Sequence, residues 1–235
     1  MEKLYEELLK KCEENGYSDE EIENIKRAYE FAYKCHKGKM RKNNEEFITH
    51  PLNVALICAS LNVDSTTIIS ALVHETIDNG PSSLEEIESL FGEEVMHIVS
   101  SLMKVNRLKL TDESESTSLY LRKVLVALSE DVRVLIIKLA GRVHNMRTIY
   151  PFSKEKQRLK AIETQNVLIP IAHRLGINQL KTELEDICFR VLKNEDYKSV
   201  EESLPASREK LNEILEETKE TIIEELKQNN ISFEI

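Results

Sequence analysis

Residues 64–81 read DSTTIISALVHETIDNGP, one buried helix with a chemically active end. Asp64 or Ser65 can start it by accepting a first-turn backbone N–H. Ile68, Ile69, Ala71, Leu72 and Val73 follow, broken only by Ser70. A helix apolar on nearly every side belongs in a core. Asn79-Gly80-Pro81 is a breaker. At the polar end His74 and Glu75 place an imidazole beside a carboxylate. On an ideal helix they point about 100° apart. Both reach one ion only if it lies between those directions and other helices close the site.

The neighbouring segments read the same way. Leu52–Leu61 is apolar enough for a core helix, entered through His50-Pro51. Ser18 with Glu21 and Ser83 with Glu86 form capping boxes. Ile22, Ile25, Ala28, Tyr29, Ala32 and Tyr33 recur at helical spacing. Further helices are expected over 2–14, 93–103, 117–129, 131–149, 154–175, 177–193 and 206–229, with a loop at 105–115. Six glycines and five prolines in 235 residues leave little turn material for an all-β fold. The expectation is an all-α bundle of about ten helices with a charged C-terminal helix. Residues 1–194 form the main domain, and 195–235 an acidic helical linker.

With 42 acids against 32 bases, the net charge is −10. An acidic chain is a poor nucleic-acid binder. The excess is local: residues 195–235 hold 12 acids and 5 bases. Residues 36–42, HKGKMRK, are basic and suit a phosphate contact. No run nears the ~18 apolar residues of a spanning helix, and the N-terminus lacks a signal peptide's apolar core. Cys12, Cys35, Cys58 and Cys188 are too scattered for a zinc or disulfide framework. A cytoplasmic protein with free thiols is expected.

Gly38 to Pro51, GKMRKNNEEFITHP, resembles G-x-x-R-K-x-G-x-x-[YF]-x-x-H-P, the first of five ordered motifs of the RelA/SpoT family. Leu72 to Asn79 resembles L-L-H-D-x-x-E-D, and Lys138 to Thr148 resembles K-L-A-D-R-L-H-N-M-R-T. Arg174-Leu175-Gly176-Ile177 and Glu183-Leu184-Glu185-Asp186 match R-L-G-[IM] and E-L-E-D. The resemblance implies an all-α HD-type domain that removes the 3′-pyrophosphate of ppGpp and pppGpp with Mn²⁺. It also implies a synthetase domain after it, to which Ile231–Ile235 would lead.

By the same resemblance His50 and His74 are metal ligands, and Glu75 stands for the aspartate of the HD pair. Gly141 replaces the fourth ligand, an aspartate. Asp78 and Asn79 stand for the Glu-Asp pair that activates water, and an amide cannot act as a general base. Arg41, Lys42, Asn145 and Thr148 match residues around the guanine nucleotide. The expected function is a degenerate, hydrolytically inactive domain that regulates or scaffolds an alarmone synthetase. The alternatives are an active Mn²⁺-dependent hydrolase and a guanine-nucleotide sensor.

Overall fold

A computed structural model describes residues 2–106, 131–203, 208–229 and 231. The chain divides into two units, Met1–Leu192 and Lys193–Ile235. Among the described residues all regular elements are helical, with one isolated antiparallel bridge between Met40 and Glu46. The first unit opens with α1 (Glu2–Glu14), α2 (Asp19–His36), α3 (Thr49–Ser60), α4 (Ser65–Val73), α5 (Glu75–Asp78), α6 (Leu84–Phe91) and α7 (Glu93–Asn106). It continues with α8 (Val132–Arg147), α9 (Lys154–Glu163), a π-helical turn (Thr164–Leu168), α10 (Ile169–Arg174) and α11 (Asn178–Leu192). The second unit contains α12 (Asn194–Ser203) and α13 (Arg208–Gln228).

Several boundaries follow from local chemistry. Ser18 accepts from the Glu21 N–H while Glu21 accepts from the Ser18 N–H, completing the capping box. Asp64 caps α4 through the Thr67 N–H at 2.7 Å. The helix expected to run through His74 pauses there and resumes as α5. Its end is the tight turn at Gly80, where a Cβ would overlap the Thr76 carbonyl oxygen, which also accepts from the Ser82 N–H. α3 begins two residues before Pro51, so the proline lies in the first turn, where its missing N–H costs nothing. The continuous helix expected over 154–175 widens into a π-turn just before Pro170, which cannot supply the next helical hydrogen bond. α7 continues through Asn106, overrunning the expected loop start. The helix at 117–129, the rest of that loop and nearly all of 231–235 lie outside the described residues.

α3 is the central element, packed against α1, α4 and α8. Leu52, Val54, Ala55, Ile57, Cys58 and Ala59 are buried around its circumference. The four residues Leu61–Asp64 join it to α4, and the two helices pack antiparallel, with His50 at the start of one beside His74 at the end of the other. The first turn of α3 and the last of α4 therefore share one end. α8 also crosses α3 antiparallel: Gly141 lies beside Val54, and His144 beside His50. All four cysteines are free. Among the described residues no helix is long and apolar enough to cross a membrane.

Arg142, only 8% exposed, is held by Glu163 at 2.7 Å and Thr164 Oγ1 at 3.2 Å, tying α8 to α9 and the π-turn. Burial alone would raise the Glu163 carboxyl. The Arg142 and Lys160 charges outweigh it and hold the group below its ordinary value. Its stabilisation is therefore complete above the usual carboxylate range near 4.5 and is lost as pH falls through the depressed value. Removing one partner of a buried pair strands the other, and Glu163→Ala should lower the unfolding free energy by about 3 kcal/mol. Urea unfolding at neutral pH measures this. The acid-side loss of stability should also be shallower in the variant.

Candidate functional site

The antiparallel packing brings His50 and His74 together. Glu75, the first residue of α5, reaches them both. Its Oε1 lies 3.5 Å from His74 Nε2 and 3.9 Å from His50 Nε2, and one ligand atom from each residue falls within 4.8 Å of the others. Donors each roughly 2.0–2.3 Å from one ion lie in this range of each other. The added methylene of Glu75 thus does not take its carboxylate out of reach.

The outer hydrogen bonds set the electronic character of the three groups. His74 Nδ1 lies 2.8 Å from the Ala71 carbonyl, which can only accept. Nε2 is then the ring nitrogen that faces Glu75. His50 Nδ1 lies 2.9 Å from His144 Nδ1. With His50 donating, its own Nε2 also presents a lone pair. Burial, with the charges of His74, Arg41 and His144, pushes His50 well below its usual pKa. Burial and two arginines lower His144 to about 4. Burial opposes the Glu75 charge, but the His74 and His50 rings and the Asn79 amide prevail, and the group stays a carboxylate. With both rings in the neutral form that a metal selects, three electron-pair donors face a common point. Two imidazoles and a carboxylate suit a first-row divalent ion, so these residues fit a metal.

Gly141 lies on the wall beside them. A Cβ built there meets nothing nearer than Val54 Cγ2 at 4.0 Å, so the backbone leaves open space where the resemblance implies an aspartate. Asn79 donates its side-chain amide to Glu75 Oε2, and its carbonyl accepts from Lys39. Asp78 is exposed and lines neither cavity described below.

Two cavities meet at the triad. One, of about 290 Å³, is bordered by Lys138, Arg142, Lys156 and Lys160. The other, of about 310 Å³, is bordered by Arg41 and Lys42. His50, Glu75, Asn145 and Phe152 belong to both. Among the described residues Glu75 is the one carboxylate in either lining, against six cations. Burial lowers Lys138 to about 8, with Arg142 adding to the effect. Lys42 and Lys156 both approach the Phe152 ring, at 5.1 and 4.7 Å from its centroid.

The structure brings together the four residues matched to the nucleotide. Arg41 donates to Asn145 at 3.2 Å and to Thr148 at 3.4 Å, while Lys42 borders the same cavity. The basic segment is a folded turn: the Arg41 N–H meets the Glu45 carbonyl, and the Phe47 N–H meets that of Lys39. Asn44 stands where the family pattern has glycine. Its φ of 62° is left-handed, which asparagine tolerates better than most residues. Arg147 leaves the site and pairs with Glu183 at 2.5 Å. Sequence reasoning missed His144 as the partner of His50, and also Lys138, Phe152 and Lys156. For Lys138 and His144 the signal was present: 138, 141, 145 and 148 recur at helical spacing, with His144 beside them. Phe152 and Lys156 come from a turn and the next helix, where no such spacing exists.

A family model described as HD domain matches residues 28–178. The chain is 41% identical over 92% of its length to a guanosine-3′,5′-bis(diphosphate) 3′-pyrophosphohydrolase of Aquifex aeolicus, covering 31% of that protein. It is 37% identical over 84% of its length to the bifunctional (p)ppGpp synthase/hydrolase SpoT of Escherichia coli K12, covering 28% of it. It is 35% identical over 93% of its length to a GTP pyrophosphokinase of Myxococcus xanthus, covering 29% of it. The chain thus spans under a third of these curated relatives. A solved metazoan ortholog of SpoT shares the fold, with a TM-score of 0.59 at 21% identity, over 71% of this chain and 94% of that one. From its match across residues 28–178 and these relatives, the chain belongs to the HD-domain family, in its RelA/SpoT branch.

Proposed function

We propose that this domain binds the alarmones ppGpp and pppGpp, has lost efficient hydrolysis of them, and regulates or scaffolds an adjoining alarmone synthetase in the stringent response. The observation that supports this most is the balance of the site: six cations and one carboxylate line the two cavities, and Gly141 stands at the place of an acid. Such a lining recognises a polyanion. A dication entering alone meets one carboxylate with several cations close by, and that repulsion weakens its binding.

Each residue has a task in this reading. Arg41, fixed by Asn145 and Thr148, holds the nucleoside end, and Lys42 contacts phosphate. His50, His74 and Glu75 would hold the ion, whose chemistry when bound is to polarise a phosphoryl oxygen. Asn79 holds Glu75 through its amide and cannot take a proton from water. A missing general base costs about 10²–10⁴ in rate. A second reading, a working Mn²⁺-dependent hydrolase, draws support from the convergence of His50, His74 and Glu75 within 4.8 Å.

Calorimetry should show ppGpp binding, weakened about tenfold or more by Arg41→Ala, a loss of roughly 1.4 kcal/mol or above. Turnover with Mn²⁺ should be near background. Hydrolysis at ordinary enzymatic rates would establish the second reading and remove the first.

The damaged positions can be tested in order. Gly141→Asp with Glu75→Asp should raise Mn²⁺ affinity by about tenfold or more. Hydrolysis should return only when Asp78→Glu and Asn79→Asp are added. Wild-type protein that already binds Mn²⁺ as tightly as the double variant would contradict this account of the site.

A further inference from the structure

We infer that a divalent cation occupies this site only together with a diphosphate group, an oxygen of which takes the coordination position left open at Gly141. The inference rests on the proposed reading of the cavities as a phosphate-binding site and adds how metal and ligand depend on each other.

Gly141 lies in the wall of the cavity bordered by Lys138, Arg142, Lys156 and Lys160, and the nearest atom to a Cβ there would be 4.0 Å away. The space at Gly141 is therefore open, not filled by a compensating side chain, and the triad borders the same cavity. An oxygen entering from the cavity can reach the position a carboxylate would occupy. Hard divalent ions commonly complete their shell with substrate phosphates when the protein supplies one or two carboxylates.

Charge makes the dependence mutual. A bare dication meets one carboxylate, Glu75, within a lining of six cations; Arg142 and Lys160 are already paired with Glu163, and the other four oppose its entry. A diphosphate group neutralises several of those cations and brings anionic oxygens to the ion. The ion in turn offsets repulsion among the phosphate oxygens. By linkage the factor by which pyrophosphate strengthens metal binding must equal the factor by which metal strengthens pyrophosphate binding. An aspartate at 141 would supply that oxygen from the protein and remove the dependence.

The test is a set of Mn²⁺ titrations followed by calorimetry and by the electron paramagnetic resonance of free Mn²⁺. Each is run with and without saturating inorganic pyrophosphate, with Mn²⁺–pyrophosphate association in buffer measured separately and subtracted. Pyrophosphate should raise the Mn²⁺ affinity of wild type and of Gly141→Ala by about tenfold or more, within the usual span of coupling between sites. In Gly141→Asp, Mn²⁺ should bind alone and the enhancement should fall below about threefold. Mn²⁺ should also broaden the ³¹P resonance of bound pyrophosphate by direct coordination. Absence of coupling in wild type, or equal coupling in wild type and Gly141→Asp, overturns the inference. Metal-free binding of ppGpp is read separately. If ppGpp binds but no coupling exists, the inference fails and the proposed function stands. If Mn²⁺ and pyrophosphate couple but ppGpp does not bind, the inference stands and the proposed function fails.

Discussion

The antiparallel pairing of α3 and α4 across Leu61–Asp64 is the constraint from which the site follows. Each helix is buried on nearly all sides, so neither can rotate or slide without exposing apolar surface. Four connecting residues keep them packed against each other as a helical hairpin. That arrangement sets His50, in the first turn of one helix, against His74, at the end of the other. α8 crosses on the same end and adds Gly141, His144, Asn145 and Thr148 from one face. The turn at residues 37–47 is then held over this end by Arg41, through Asn145 and Thr148. Lys39 bonds the same turn to the backbone of Asn79.

This dependence runs one way. The helices owe their packing to apolar side chains and to pairs such as Arg142–Glu163 and Arg147–Glu183, not to the site. A carboxylate can therefore be lost from the site while the scaffold survives. Buried like charges without an ion are costly, so replacing an acid with glycine at 141 removes repulsion near Glu75. Asn79 contributes in the same direction, giving the Glu75 carboxylate an amide donor where an aspartate would repel it.

Much of the fold was legible because its signals are local. Ser18 with Glu21, Asp64 with Thr67, and the apolar runs of α3 and α4 depend on residues a few positions apart. The triad was legible only through the ordered motifs, since His50 and His74 are far apart in sequence and meet by packing. What escaped was non-local or backbone-driven. The His50–His144 bond spans 94 positions, and nothing local in the sequence joins the two residues. Pro170 was visible, but its effect, a π-turn starting six residues earlier, depends on how α9 and α10 pack on α11.

The net charge of −10 also changes meaning in three dimensions. Much of the excess acid lies in the stretch that holds α12 and α13. Along the chain, the cations of the site are spread from Arg41 to Lys160 and stand among acids of similar number. Folding sorts them. Glu163 is drawn to Arg142 and Lys160, and Glu183 to Arg147, leaving Glu75 as the one acid in the cavity linings among the described residues. An acidic protein thereby presents a basic interior to a small polyanion. The same sorting makes the loss of one aspartate consequential. With a single carboxylate left, the ligand's own oxygens become the natural remaining anionic partners for an ion at His50 and His74.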